Sequence, residues 1–482
     1  MRDGKTPPTK SPWFVGAGLL AVLVAGAGLA VVTRSKPVAQ TAPRAAGFTK
    51  KLRPHFDHAP VMTGKFESPQ AVTVACLKCH PDAAHVMKSS HWLWLGEEVS
   101  IPGREGAKVR IGKKNVLNNF CISTVGNEIS CTKCHAGYGW VDQSFDFSKQ
   151  ENIDCLVCHE GTNTYVKGPG GVPTKETDLL AAAKSVGTPR RDNCLGCHAY
   201  GGGGQAVKHG DLDSSLAHPF EEEDVHIGRY QFLCIDCHQA PDHQIQGRAF
   251  SVSVEDSHGV ACTQCHVTQE HKDERINAHL KAVACQTCHI PNYAGKLPTK
   301  ATWDWSKAGD PNRKDDPHSY LKIKGEFTYE QAALPEYRWF NGTVGRYLAG
   351  DKIDPSKPTV LNPLKGDITD GTARIWPIKI HRAKQPYDAG NDYLFPPVTG
   401  GKGGYWTTFD WPSAFQLGAK ASNLPYSGKY GFAPTVMYWP LSHMVAPKEQ
   451  ALGCTDCHGD GKRLDWQALG YAGDPLKTGG RK

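Results

Sequence analysis

The longest apolar run in the sequence lies near the amino end and predicts a membrane segment. Trp13–Val32 contains no charged residue, a positively charged segment precedes it, and Arg34 and Lys36 follow it. Twenty residues span about 30 Å as a helix, the thickness of a bilayer core. Residues 39–42 make a poor cleavage site, so we expect an uncleaved anchor, with a cleaved signal peptide as the alternative. In the anchor, the positively charged amino end would face the cytoplasm. Under either interpretation the rest of the chain is exported.

Beyond this run, helical patterns are short and alternating strand patterns are scarce. Glu176–Val186 and Ile276–Ala284 are typical of helices, and Pro and Gly interrupt much of the remainder. The pattern therefore predicts a mainly α, loop-rich fold with short helices and little β structure.

The cysteines change this picture, because sixteen of the seventeen form Cys-x-x-Cys pairs and each pair is followed by His. The eight motifs are Cys76/Cys79/His80, Cys131/Cys134/His135, Cys155/Cys158/His159, Cys194/Cys197/His198, Cys234/Cys237/His238, Cys262/Cys265/His266, Cys285/Cys288/His289 and Cys454/Cys457/His458.

Covalent haem explains this regularity better than zinc or disulfides. Zinc sites do not require His after every Cys-x-x-Cys hook, and disulfides do not require His at all. Cys-x-x-Cys-His is the spacing that attaches haem c through two thioethers and supplies an axial imidazole. We therefore expect eight covalently attached haem c groups, with each motif His binding iron.

Seven motifs lie between Cys76 and His289, too little chain to build an ordinary hydrophobic core around each macrocycle. The haems must themselves form much of the core, wrapped by short helices. A tryptophan-rich region without motifs follows, and we expect it to be a loop-rich cover over the haems. The predicted organisation is an anchor or signal at 1–36, a linker at 37–70, a seven-haem region at 71–290, an aromatic-rich cover at 291–452, and the eighth haem with a polar tail at 453–482.

The formal net charge of +7 does not indicate nucleic-acid binding. Each haem brings two propionates, so eight haems contribute roughly −8 and offset the surplus of Lys and Arg. The sequence has no concentrated basic run, and no nucleic-acid partner is expected.

Fourteen histidines lie outside the motifs and supply candidates for the second axial ligands. Electron-transfer haems commonly take a second His, which leaves no open iron position. Four candidates lie shortly before a motif, and four others lie elsewhere: His226, His258, His279 and His443, then His58, His91, His243 and His381. Any one of them is alternatively a surface residue or a propionate partner.

Cys121 is the cysteine left over. With every other cysteine committed to haem, it has no disulfide partner within the chain. Packing alone favours a buried thiol. Its position ten residues before Cys131 also allows a place close to the second haem.

The motifs and several local strings resemble the octahaem tetrathionate reductase family of multihaem cytochromes, over roughly residues 55–475. The likeness to hydroxylamine oxidoreductases and pentahaem nitrite reductases is more distant. The strings that carry it are Asn118–Ser123, Cys131–Trp140, Lys208–Asp213, and the carboxyl-terminal Cys454–His458 motif with Leu464–Trp466.

The resemblance implies an active-site haem with a lysine ligand and a nearby cysteine, which match Lys208, the haem on Cys131 and Cys134, and Cys121. It also implies a carboxylate three residues before the lysine, where this chain has Gln205. Asp211, or alternatively Asp213, would compensate. From residue chemistry alone Lys208 is a solvated surface lysine. His135 either stays a ligand or yields that face to Lys208.

These features together predict a multihaem oxidoreductase on the periplasmic side, anchored in the inner membrane by residues 13–32 or soluble if the segment is cleaved. The expected reaction is reduction of a small sulfur or nitrogen oxyanion such as tetrathionate or nitrite, or of hydroxylamine, with electrons from a partner cytochrome or a quinol-linked donor. The alternatives are oxidation of hydroxylamine and a non-catalytic electron conduit.

Overall fold

The computed structural model describes residues 55–101, 104, 106, 108–120, 122–248, 254, 259–266, 271–459 and 463–481. Its α-helices are short: α1 Pro69–Leu77, α2 Ser90–Leu93, α3 Glu128–Cys131, α4 Leu156–His159, α5 Leu179–Lys184, α6 Arg191–His198, α7 Cys234–Cys237, α8 Glu274–His279, α9 Cys285–His289, α10 Tyr405–Thr408, α11 Trp411–Ser422, α12 Cys454–Cys457 and α13 Pro475–Thr478. Tighter turns lie at Pro81–Lys88, Thr132–Cys134, Gln150–Asn152, Pro169–Gly171, Ser214–Ala217, Val225–Arg229, Pro241–His243, Cys262–Gln264, Trp305–Lys307 and Lys448–Gln450.

Each of the eight motifs overlaps a helix or a helical turn. Helical backbone brings residues i and i+3 to the same face. The two cysteines of a motif therefore point the same way, as attachment to one macrocycle requires.

The longest described helix, α11, shows why helices form outside the motifs. Asp410 caps its first turn by accepting the amide of Ser413, and Asn423 ends it in the left-handed region. Trp411, Ala414, Phe415 and Gly418 form its buried stripe.

The strands are β1 Glu98–Ser100, β2 Lys108–Arg110, β3 Thr299–Asp304, β4 Tyr320–Leu321, β5 Gly325–Glu330, β6 Glu336–Phe340, β7 Thr359–Val360, β8 Arg374–Asp388, β9 Tyr393–Leu394 and β10 Tyr430–Pro440. β1 and β2 form a hairpin, and the others form an eight-stranded sheet in the order β4-β5-β3-β8-β10-β7, with β6 and β9 also paired to β8. The expectation of little β structure is therefore wrong. Between residues 299 and 440 the sequence lacks clean alternation because much of the sheet is buried on both faces.

The centre of this sheet is β8, which has fifteen residues. It pairs antiparallel with β10 from Ile378–Pro440 to Asp388–Tyr430, and parallel with β3. Because side chains alternate along a strand, Lys379, His381 and Gln385 share one face, and all three are fully buried. This polar face is the platform for the candidate site described below.

The largest apolar cluster lies on this sheet and not among the haem motifs. Trp303 stacks on Trp305 at 4.8 Å between ring centroids, and Tyr405 stacks on Trp411 at 3.8 Å. The tryptophans expected to cover the haems therefore build, in large part, a core of their own.

Within the described residues, no helix is both long enough and apolar enough to cross a membrane. The predicted anchor, Trp13–Val32, lies outside those residues, so its prediction stays a prediction, as do the domain boundaries.

Candidate functional site

Seven of the eight motif histidines face a second histidine ring across a gap. The ring centroids lie 6.0–6.5 Å apart in the pairs His58–His80, His91–His198, His159–His243, His226–His266, His238–His443, His271–His289 and His279–His458. Metal–imidazole bonds of about 2 Å on each side would place two ring centres roughly 6 Å apart. The spacing fits one haem iron between each pair.

The orientation of these rings supports the same fit. Nδ1 of His159 lies 2.9 Å from the carbonyl of Gly187, and Nδ1 of His238 lies 2.8 Å from that of Gln246. Nδ1 of His458 pairs with Asp474 at 2.6 Å. Hydrogen bonds of this kind orient metal-binding imidazoles, and they leave Nε2 of each ring available to a ligand.

Depth and accessibility also point to internal spaces beside these rings. His198 retains an exposed surface by area. Yet it lies deep enough in the protein that burial, followed by neighbouring positive groups, lowers its pKa to about 3. A side chain that is both deep and accessible borders a cavity, here of the kind that a macrocycle would fill.

Not all of the predicted attachment cysteines lie in the interior. Five of the sixteen are exposed, and they belong to the first, fifth, sixth and eighth motifs: Cys79, Cys237, Cys262, Cys265 and Cys454. A thiol that borders the space for a macrocycle is accessible in the same way as the His198 ring, so the expectation that the haems form much of the core stays a prediction.

Cys265 shows the physical reason for this difference. It follows the short turn Cys262–Gln264, and with a φ of −122° it ends the helical backbone there. Residues 261–266 are all exposed by area, yet the bond to Cys285 and burial both raise the pKa of Cys262 in the same turn. A thioether requires only that the thiol reach the edge of its macrocycle. Cys265 therefore remains a candidate attachment residue.

The structure brings together most, but not all, of the histidines proposed from sequence. His226, His279 and His443 each face the ring of a motif other than the one they precede. His271, absent from the candidates, faces His289. His258 lies outside the described residues.

His381 is the described candidate that the structure places differently. It is fully buried on β8, its Nδ1 lies 3.0 Å from Oδ1 of Asn119, and its ring contacts Phe120. No motif histidine stacks opposite it among the described residues, so its proposed ligand role gains no support from the geometry.

The second motif differs from the other seven. In the described part of the chain no second imidazole faces His135; five aromatic rings surround it instead, and it is 0% exposed. Its Nε2 lies 2.6 Å from the carbonyl oxygen of Trp92. Burial lowers the pKa of His135 to about 3, so the ring is neutral.

Lys208 lies near this motif and deep inside the protein. Burial lowers its pKa to about 7, with further lowering by Lys113 and Arg346 and an opposing interaction with Cys134. Its Nζ lies 5.2 Å from the centroid of the Trp439 ring, and part of its side chain stays accessible. An amine with this pKa is largely deprotonated above neutral pH, which is the form that can bind a metal.

The polar face of β8 bonds to two segments near this site, the one that carries Lys208 and the one that carries Asn118. Nζ of Lys379 donates to the carbonyls of Val207 and Lys208 at 2.9 and 3.2 Å, and to the hydroxyl of Thr299 at 2.6 Å. Gln385 donates to the carbonyl of Asn118 at 3.2 Å. Lys379 was not predicted from the sequence. The one feature that could have indicated it is a lysine within a mainly apolar stretch.

Cys121 itself lies outside the described residues, but its two neighbours are described. Phe120 and Ile122 are buried, and Phe120 packs on Trp439, whose ring also lies near Nζ of Lys208. The segment that carries Cys121 and the segment that carries Lys208 therefore meet around one tryptophan.

The carboxylates considered as replacements for the residue at Gln205 point elsewhere. Asp211 accepts the backbone amides of Ser442 and His443 at 2.7 and 3.0 Å, and contacts Nδ1 of His443 at 3.3 Å. Burial would raise the pKa of Asp211, but the bond to His443, the charges of His443 and His209 and the amide of Ser442 together outweigh it, so the pKa is lowered. Asp213 caps the Ser214–Ala217 turn. Gln205 itself donates to Ser214.

Comparison with known proteins decides the family. A crystal structure of an octahaem cytochrome c from Shewanella oneidensis matches with a TM-score of 0.82 and 47% identity, covering 88% of this chain and 98% of that one. This chain belongs to the octahaem c-type cytochromes. The family model "Cytochrome c bacterial" matches residues 300–461, and an uncharacterised protein of Archaeoglobus fulgidus is 25% identical over 245 residues, which are 39% of this chain and 80% of that protein.

An octahaem cytochrome carries covalently bound haem c, and the motif residues fit this group. None of the sixteen motif cysteines, all of which are described, forms a disulfide. Side chains of different motifs also touch, in the pairs Cys76–Cys155, Cys134–Cys197, Cys194–Cys234 and Cys262–Cys285. The attachment points are thus crowded together, as expected when cofactors supply much of the interior of this octahaem cytochrome.

Proposed function

We propose that this protein is an octahaem oxidoreductase that reduces a small sulfur or nitrogen oxyanion at the haem attached to Cys131 and Cys134. Lys208 would supply one axial ligand there, and the seven histidine pairs would hold the electron-transfer haems. When bound, haem supplies an iron with an open position that accepts an electron pair from the substrate and passes electrons to it.

One observation carries the proposal: the second motif lacks a facing histidine in the described part of the chain, whereas a deeply placed lysine of lowered pKa lies beside it. Two axial imidazoles leave no room for a substrate, and seven motifs have such pairs. A single exception with a different nitrogen donor is what an enzyme with one reactive haem requires, and what a pure conduit does not require.

The charges around Lys208 favour a negatively charged substrate. Lys113 and Arg346 both lower the pKa of Lys208, so their positive charges act at this position. Arg346 is buried. Positive groups of low exposure attract and orient an anion more strongly than exposed ones, because little water screens them. Tetrathionate and nitrite are anions, so these positive charges would attract both of them. Hydroxylamine is neutral, and its binding would depend only on the bond between its nitrogen and the iron.

The contacts between motifs support an electron relay that includes the reactive haem. The first motif touches the third, the fourth touches the fifth, and the sixth touches the seventh. The second motif touches the fourth through Cys134 and Cys197. Electrons from the fifth haem would then reach the second haem through the fourth.

The physiological setting completes the proposal. The protein would work on the periplasmic side, tethered by Trp13–Val32 or released if that segment is cleaved; the covalent haem c of its family supports this setting. A partner cytochrome or a quinol-linked donor would deliver electrons.

The test compares Lys208→Ala with Lys324→Ala, both in fully haem-loaded protein. Lys324 donates to the carbonyl of Gly203, in the same glycine-rich loop, but from its outer side. With reduced protein and tetrathionate, nitrite and hydroxylamine assayed side by side, Lys208→Ala should lose most turnover and alter the spectrum of one haem, while Lys324→Ala keeps both. Equal rates and equal spectra in the two variants would exclude the proposed site.

A further inference from the structure

A cavity of about 410 Å³ opens to solvent beside the segment that carries Arg346. Among the described residues that line it, three side chains are positively charged and one is a carboxylate: Arg104, Arg346, Lys352 and Asp351. Three positive charges and one negative charge leave a balance of +2. A cavity with this charge balance favours a small divalent anion over a neutral or cationic ligand.

The backbone places Arg346 on an apolar side of its segment. The amides on either side of it donate to the carbonyls of Pro363 and Leu361 at 2.8 and 3.0 Å, so the segment is extended. Side chains alternate along extended backbone, and Val344, Arg346 and Leu348 therefore face the same way. Val344 and Leu348 pack in an apolar cluster there. The fold thus holds one positive side chain among apolar neighbours, where it is 6% exposed.

Arg346 keeps its positive charge in this position. Burial, followed by the positive charge of Arg248, lowers the pKa of Arg346 to about 9, so its guanidinium is protonated at neutral pH. Two positive groups that repel each other in a region of low exposure raise the electrostatic potential there. An anion that enters the cavity would reduce this repulsion.

The remaining charged groups lie closer to solvent, and the fold orients them. Arg104 pairs with Asp351, which also accepts the amide of Leu348 at 2.7 Å, and the side chains of this pair are 35% and 23% exposed. Lys352 is exposed, and its Nζ donates to the carbonyl of Asn391. A carbonyl orients a lysine but does not neutralise its charge. The cavity therefore has positive groups both near its opening and at its buried wall.

Arg346 also connects this cavity with the surroundings of Lys208. It is one of two positive groups whose charges lower the pKa of the Lys208 amine. Because the interaction between two charges weakens with distance, the cavity and the proposed iron site lie near one another. An anion bound at Arg346 would therefore be held next to the place where reduction is proposed.

Tetrathionate matches this arrangement better than nitrite does. It is a dianion with a sulfonate group at each end, and three successive S–S bonds of about 2 Å each separate the two groups. Both sulfonates cannot lie at one iron, so the second one needs positive groups elsewhere. Nitrite is a small monovalent anion and needs no second site.

We infer that this cavity binds the distal sulfonate of tetrathionate, the end that does not lie at the iron, through Arg346 and Arg104. A guanidinium donates two parallel hydrogen bonds to neighbouring oxygens of an oxyanion, which suits a sulfonate. The inference rests on the proposed function, and it adds residues that select a long divalent anion over nitrite.

Calorimetric binding of dithionate to the oxidised, haem-loaded protein tests the cavity apart from turnover. Dithionate is a redox-inert dianion with two sulfonate groups. Wild-type protein should bind it, and Arg104→Gln and Arg346→Gln should each weaken its binding about tenfold. Arg313→Gln is the matched control, because Arg313 is 37% exposed and pairs with the carboxylate of Glu326, but does not line the cavity. It should keep the wild-type affinity.

Two binding results would overturn the inference. One is a wild-type protein that binds no dithionate. The other is unchanged affinity in both cavity variants; if it comes with a shifted reduction potential in Arg346→Gln, this guanidinium holds a haem propionate instead. Intact mass first confirms that each variant carries its full haem load. If Arg346→Gln does not load, Arg104→Gln decides, because its side chain is half-exposed and its loss leaves the interior intact.

Steady-state kinetics with tetrathionate and nitrite then test selectivity. Arg104→Gln should raise the KM for tetrathionate about tenfold, while its kcat and the KM for nitrite stay close to those of the wild type. Equal changes of KM for the two anions would overturn the selective role. If the wild type binds dithionate but reduces neither anion, the proposed function fails and the anion site remains. If Lys208→Ala loses tetrathionate turnover and the cavity variants do not change its KM, the proposed function stands and this inference fails.

Discussion

Replacement of Lys379 by Met isolates the contribution of a buried amine that the fold places directly behind Lys208. The substitution keeps the length of the side chain and its apolar stem, and removes the group that bonds to Val207, Lys208 and Thr299. A neutral amine donates two hydrogen bonds of about 1 kcal/mol each. In alkaline solution the free energy of unfolding of the variant should therefore be about 2 kcal/mol lower than that of the wild type.

At neutral pH the effect should reverse, because burial lowers the pKa of Lys379 from 10.5 to about 7. Between these values the unfolded chain carries a proton that the folded chain has lost. Wild-type stability therefore rises with pH, by about 1.4 kcal/mol for each pH unit relative to the variant. The variant should be roughly 2 kcal/mol more stable at pH 7, and equal to the wild type near about pH 9.

Urea unfolding of the haem-loaded proteins, followed by circular dichroism between pH 7 and 10, measures this difference. Thr299→Val is the matched control, since it removes an acceptor of the same amine but leaves the amine to titrate, and its stability should keep the pH dependence of the wild type. A stability difference between wild type and Lys379→Met that stays constant across this range would refute the reasoning, because it would mean that Lys379 keeps its charge inside the protein.

Three further predictions address the cofactors and the ligands. Acid–acetone extraction should leave haem on the polypeptide, and intact mass should show eight additions; six or fewer in mature protein would contradict the motif interpretation. Asp211→Asn removes the negative charge beside His443, which makes that imidazole a weaker donor, so spectropotentiometry should show one haem with a raised reduction potential. Cys121→Ala should slow tetrathionate more than nitrite, because only tetrathionate has sulfur atoms that exchange with a thiolate; equal wild-type rates on both substrates would leave Cys121 a packing role.

The eight attachment sites could be predicted from sequence because each one is local. The amides of Cys79 and His80 both donate to the carbonyl of Cys76, so one turn of chain brings the three residues together without any distant residue. The same holds for the other seven motifs, and membership of the octahaem cytochromes follows from them. The accessibility of each site was not predictable in this way: both cysteines of the sixth motif are exposed, whereas both cysteines of the third motif are half-buried, although the spacing is the same.

The partners of the motif histidines were only partly predictable, because they are made across the chain. His443 lies shortly before the eighth motif but faces His238, and His271 faces His289 although nothing in its sequence neighbourhood singles it out. Proximity along the chain identified candidate ligands but not their partners, since each gap is bordered by segments that only the folded chain brings together.

The sheet shows the same limit from the opposite direction. The sequence of β8 is an irregular run of apolar and charged residues, because much of the strand is covered on both faces and one of these faces carries Lys379 and His381. Alternation of polar and apolar residues marks a strand only when one face meets water. Without that contrast the sequence could not indicate the platform that holds Lys208.

By itself, then, the sequence determined the cofactor chemistry and the family and predicted the attachment residues, because spacing within one turn of chain is enough to specify a thioether site. The resemblance singled out the second motif, and tertiary structure shows how its surroundings differ. The spacing of the His135 motif is identical to that of the seven other motifs, but the Trp92 carbonyl contacts its ring and Lys167 bonds to its backbone carbonyl, both from separate segments. Burial and hydrogen bonds to distant groups set the chemistry of a side chain, and both depend on how the whole chain packs and not on the neighbouring sequence.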